Sequence, residues 1–156
     1  MLAPLGTAER KHELLRMSAK PFPFLSVSAD HILKRLAVHH AKHPDHKCLT
    51  SKHVGDEYAA ISLHRSKTDE ILIVLDPSEY DDIGYARTFV QEESDFFPHM
   101  PPIYVERSLT GRVSYAGVDG KRKRELFERE DLLCLVQAME ILNGKHYERW
   151  TKRNVQ

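Results

Sequence analysis

Apolar positions along the chain follow two different periods, and the change between them divides the sequence. Residues 7–17, TAERKHELLRM, are predicted to form a short helix capped by Thr7, which Pro21 and Pro23 prevent from continuing. Ile32, Leu33, Leu36, Ala37 and His40 then recur at helical spacing. They predict a second helix that starts at Ser28 or Asp30 and ends before Pro44, with Lys34, Arg35, His39 and Lys42 on its polar face. From residue 57 the pattern becomes that of strands: EYAAISLH, EILIVLD, GYARTFVQ, PIYVER and GRVSYAGV. Turn signals at Pro77-Ser78, Asp82, Gly84, Gly111 and Gly120 separate them. Ile71 to Leu75 is apolar without alternation, as expected of a strand covered on both faces, whereas ARTFVQ alternates like a half-exposed one. Leu132, Leu135, Val136, Met139 and Leu142 predict a closing helix stopped by Asn143-Gly144, and their stripe reads as core. The fold class expected is α+β, an antiparallel β-meander flanked by helices. Residues 1–28 read as an N-terminal extension and residues 29–156 as a single α+β domain.

Composition narrows the class. At 156 residues, 41% hydrophobic and 29% charged, the chain reads as one globular domain. No unbroken apolar run is longer than Ile71 to Leu75, so no membrane span is expected. Lys plus Arg and Asp plus Glu balance at 23 each, and nucleic acid is not an expected partner. Two cysteines, Cys48 and Cys134, are too few for a disulfide scaffold, and Cys134 sits among leucines as a buried thiol would. A reducing intracellular setting, cytoplasmic or nuclear, is expected, and no targeting address can be read.

The densest chemistry is HHAKHPDHKC. His39 and His43 are four apart and share a helical face, and His46 and Cys48 can complete a four-ligand zinc site. The spacing matches none of the usual zinc signatures, and a histidine-rich helix end also suits the helix dipole. No cofactor is therefore expected other than this zinc. The Asp81-Asp82 pair reads as a solvated turn and Lys121 to Arg124 as a solvated basic junction. Phosphate loops, nucleophile elbows and His-Glu-x-x-His helices are absent.

One loop is unusually stiff. In DFFPHMPPIYV, Pro101-Pro102 fixes two successive φ angles and pushes Met100 out of the helical region, so the chain must enter the next strand extended. Phe96 or Phe97 can then tuck against the sheet. In order with its neighbours this loop resembles the ubiquitin-conjugating enzyme superfamily. The resemblance runs through LKRL in the second helix, Val54-Gly55-Asp56, the strands, Phe97-Pro98-His99-Met100-Pro101-Pro102, Ile103-Tyr104-Val105 and the closing helix.

Active members of that superfamily carry a cysteine downstream of the Pro-Pro pair. Here IYVERSLTGRVSYAGVDGKRKRELF holds none, and neither Cys48 nor Cys134 fits the position. The resemblance therefore implies a non-catalytic variant, or a related RWD-like interaction domain. Such a protein would position a conjugating enzyme, a ligase or a ubiquitin-like modifier, with its partner surface on Lys34, Arg35 and Phe97 to Pro102. Two alternatives stand beside it. One is an RWD-like structural subunit of a larger assembly. The other is a metal-dependent enzyme or nucleic-acid-binding protein built on residues 39–48.

Overall fold

The computed structural model describes residues 8–82 and 86–152. The elements are α1 (Ala8–Arg16), α2 (Val27–Lys42), β1 (Cys48–Thr50), a 3-10 turn (Ser51–Val54), β2 (Ala60–His64), β3 (Ile71–Asp82), β4 (Arg87–Glu92), β5 (Ile103–Ser108), β6 (Thr110–Ala116), β7 (Arg122–Glu128), α3 (Arg129–Leu142) and α4 (Lys145–Lys152). Among the described residues no helix is long and apolar enough to cross a membrane.

The α+β class holds, but the strands do not form one meander. Five of them make an antiparallel sheet in the order β1-β2-β3-β6-β7, and β4 and β5 pair with each other in a separate two-stranded sheet. The expected ubiquitin-conjugating arrangement, in which the proline loop lies within one continuous meander, is therefore not formed. The loop joins the two strands of the small sheet instead.

α3 covers one face of the large sheet, where Leu132, Leu135, Val136 and Leu142 meet Ile61, Val74, Val113 and Phe127. α2 covers the other, where Ile32 and Leu36 meet Leu49, Ala60, Leu75 and Ala116. This two-sided cover explains the unbroken apolar run from Ile71 to Leu75, since alternate residues enter opposite cores.

Several boundaries move, each for a local reason. Ser26, not Ser28 or Asp30, caps α2, its side chain accepting the Ala29 N–H at 3.3 Å. Ala37, placed on the apolar face from sequence, is exposed. Pro77-Ser78 is not a turn: β3 runs through it, and the register shifts between Leu75 and Glu79 where proline has no N–H to give the ladder. Gly111 lies inside β6, where a Cβ would meet the Tyr80 ring at 2.5 Å, so close packing rather than a turn selects glycine there. The basic stretch is mostly edge strand β7, with Arg124 paired to Asp81, and Lys145–Lys152 adds a helix that the sequence pattern did not reveal. The Thr7 cap and the Asp82 side chain lie outside the described residues.

Residues from the N-terminal segment are tied to the body. Leu14, Leu15 and Phe22 are buried. Lys52, fully buried, sends Nζ to Met17 O at 2.5 Å and Ile141 O at 2.8 Å, joining the end of α1 to the end of α3. Gly144 has φ +84°, and a Cβ there would lie 2.5 Å from Arg16 O.

The small sheet is fastened by Arg107 on β5. Its guanidinium donates to Glu92 on β4 at 3.0 and 3.0 Å, and to Glu140 on α3 at 2.8 and 3.1 Å. Arg149 of α4 adds a bond to Glu140 at 3.3 Å. Burial opposes ionisation of Glu140, yet the Arg107 bonds hold its carboxyl below the usual range.

Two outcomes follow for stability. Arg107→Met strands Glu92 and Glu140 in the interior, and denaturant unfolding should show a loss of about 3–5 kcal/mol, most of it recovered when both glutamates are also made glutamine. Gly144→Ala should cost about 1–3 kcal/mol by the same assay, because it combines a left-handed φ with contact against the α1 carbonyl.

Candidate functional site

A pocket of about 220 Å³ opens between β1 with its 3-10 turn, the segment after β4, and the facing sides of α3 and α4. Four segments contribute titratable or nucleophilic side chains to it: His46, Cys48 and His53; Ser94 and Asp95; Cys134; and His146.

His53 is set by the 3-10 turn. The Thr50 N–H donates to its Nδ1 at 2.9 Å, so the proton sits on Nε2, which faces Asp95 Oδ2 at 3.2 Å. His46 Nδ1 lies 3.4 Å from the same oxygen. The hydrogen bond from His53 holds the Asp95 carboxyl below its ordinary range, although partial burial pulls the other way. Asp95 thus stands ionised at the pocket mouth, its side chain half exposed.

Behind it, Ser94 Oγ accepts the Phe96 N–H at 3.2 Å and lies 2.7 Å from His146 Nε2. His146 is buried against Phe96, Phe97 and Trp150, with ring centroids 6.4, 6.4 and 5.7 Å away. Burial pulls its pKa from 6.5 down to about 4. At neutral pH the imidazole is therefore uncharged, and it shares one hydrogen bond with the Ser94 hydroxyl. On the opposite wall Cys134 Sγ lies 3.2 Å from Cys48 Sγ. Burial, with the Cys134 contact second, pushes the Cys48 thiol well up.

The proline loop now has a physical role. Phe97 stacks on Trp150 with centroids 6.2 Å apart and planes 1° apart, and Phe96 is buried beside Leu15 and Ile141. Both aromatics anchor to helices rather than to the sheet, and the anchored stretch is the one that carries Ser94 and Asp95.

The residues proposed from sequence are only partly gathered here. His46 and Cys48 reach the pocket. His39 and His43 pack against each other outside it, their rings tilted and their centroids 4.4 Å apart. Among the described residues no group of three or more His, Cys, Asp or Glu side chains is arranged to hold a metal ion. Lys34 and Arg35 line a groove on α2 with His31, Val38, His39, Lys42 and Val54, and none of residues 97–102 shares it. Arg35 is committed to Asp56 at 2.6 Å. Pro98, His99 and Pro101 are exposed, while Met100 and Pro102 are half-buried. His53, Ser94, Asp95, Cys134 and His146 escaped sequence reading because no local spacing joins them. Only the fold brings them together.

Searches by sequence find no matching family model and no matching curated protein. Structural comparison is decisive for the fold. A class I type b peptide deformylase from Acinetobacter baumannii superposes with TM-score 0.73 at 15% identity, covering 92% of this chain and 93% of that one. The peptide deformylase of Synechococcus elongatus, in complex with actinonin, gives TM-score 0.72 at 21% identity, with 92% and 74% covered. That of Plasmodium falciparum, bound to an inhibitor, gives 0.71 at 15%, with 84% and 79% covered. The chain has the peptide deformylase fold. This overturns the likeness to ubiquitin-conjugating variants and RWD domains, and with it the expectations of a non-catalytic adaptor and of conjugating-enzyme, ligase or modifier partners. The neighbours are enzymes by name, and the expectation that no cofactor is needed loses its basis as well.

His146 makes the site testable by pH. Its folded pKa lies below its unfolded value, so the folded state binds fewer protons between pH 6.5 and about 4. Stability present above pH 6.5 is lost as pH falls through that window, by roughly 2–3 kcal/mol between pH 7 and pH 4.5. Urea unfolding should show that excess loss in the native protein relative to His146→Gln. Equal losses in the two proteins would contradict it.

Proposed function

We propose that the chain is a hydrolase of the deformylase type, removing an N-terminal acyl group, formyl in the first instance, from a short peptide held in this pocket. One observation supports the reading above the rest. Titratable side chains from four separate segments converge on one concave site, in a fold shared with proteins named peptide deformylases. A volume of about 220 Å³ suits a chain end rather than a folded partner.

A reaction of this type implies a metal ion, which would supply a Lewis acid for the acyl carbonyl. The donors nearest one another are His46, His53 and Asp95. Both imidazoles are turned on one carboxylate oxygen, His53 Nδ1 is occupied by the Thr50 N–H, and the two thiols face each other. The residues present do not fit a metal in this arrangement, and no step is routed through one.

The chain's own groups have definable tasks. Asp95, kept ionised by His53, takes the proton of a water directed at the acyl carbon. His53 holds that carboxylate's charge and aim. Ala138 and Ile141 line the pocket with apolar surface against which a small side chain packs.

Formate release from a formyl-methionyl tripeptide tests the reading. Release above the buffer rate is expected, with Asp95→Asn lowering kcat/KM by roughly 100-fold or more and Phe89→Ser, an exposed position on β4, leaving it unchanged. No release, either from the protein as purified or after addition of iron, zinc or nickel, would contradict it.

A further inference from the structure

Cys48 and Cys134 are 86 residues apart in sequence, yet β1 and α3 bring their sulfurs to 3.2 Å. We propose that they form an oxidisable dithiol, converted by low-molecular-weight disulfides into an intramolecular disulfide that ties β1 to α3 across the pocket wall.

Three observations carry this. First, the separation needs to close by only about 1 Å to reach a disulfide bond of about 2.05 Å. Second, both residues are partly exposed and both line the pocket, so a small oxidant can reach them through its opening. Third, these are the only two cysteines in the chain, so no other intramolecular pairing competes.

The chemistry balances with glutathione disulfide as oxidant. One cysteine thiolate attacks a glutathione sulfur, forming a mixed disulfide and releasing one glutathione thiolate, which takes up the proton lost by the protein thiol. The second cysteine, as its thiolate, displaces the remaining glutathione, so two protein thiols and one glutathione disulfide become one protein disulfide and two glutathiones. The new bond draws the strand and the helix together and removes two thiols from the lining. The proposal is independent of the hydrolase reading: the cross-link forms or fails to form whatever reaction the pocket performs.

The experiment incubates the full chain with glutathione disulfide, quenches with acid and reads intact mass. Expected is a monomer lighter by about 2 Da, with both thiols lost to a thiol reagent, a Cys48–Cys134 cross-linked peptide after digestion, and full reversal by dithiothreitol. Thermal unfolding of the oxidised protein should shift up by several degrees, because the bond closes a long loop in the unfolded chain. Persistent glutathione adducts, disulfide-linked dimers or unreacted thiols would each overturn the proposal. Cys48→Ser and Cys134→Ser should each abolish the lighter monomer. The native protein's mass decides the matter even where a variant folds poorly.

Discussion

The arrangement depends on the buried guanidinium of Arg107. It sits between Glu92 of the small sheet and Glu140 of α3, making two bonds to each, and so holds those two layers in register. Burying three charges is expensive, and the expense is offset only because the geometry is bidentate on both sides. The consequence lies one residue further along the chain. Glu93, Ser94 and Asp95 follow directly from the pinned Glu92, so the ion pair that fixes the sheet also fixes one wall of the pocket. Lys52 does the same from the other side, stitching α1 to the end of α3 from within the 3-10 turn that presents His53.

Within that frame the pocket separates its charges by environment. Asp95 is half exposed and bonded to an imidazole, so it stays ionised; His146 is buried among aromatic rings, so it stays neutral. Two titratable groups beside one aromatic-proline loop, Asp95 next to it in sequence and His146 packed on its Phe96 and Phe97, are thereby driven to opposite states. The same bonding explains why the histidines do not gather around a cation. His46 and His53 spend their inward-facing nitrogens on a shared carboxylate, and the two thiol sulfurs face each other.

The sequence was legible where one segment's own period decides its environment. α2, α3 and the doubly covered run Ile71 to Leu75 could be read because their apolar spacing matches what packs on them. β7 was missed because its exposed basic residues carry no apolar alternation, and α4 because its only buried side chains are His146 and Trp150. The proline loop is no family signature. Its stiffness comes from Pro101-Pro102, which any fold can use, and the feature that distinguishes this fold, the separation of β4 and β5 from the large sheet, leaves no trace in strand order along the chain. The pocket was illegible for a related reason. His46 and Cys48 lay in a visible cluster, but their partners Asp95 and Cys134 come from segments far away in sequence.

The central claim is that a peptide's acylated end is received between β1, the Ser94-Asp95 stretch and α3. An amide and imidazole NMR titration with a formyl-methionyl peptide tests it most directly. Shifts concentrated at His46, His53, Ser94, Asp95 and His146, and weakened when the formyl group is absent, are the predicted result. Shifts confined to the α2 groove around Lys34 and Lys42, or none at millimolar peptide, would contradict it.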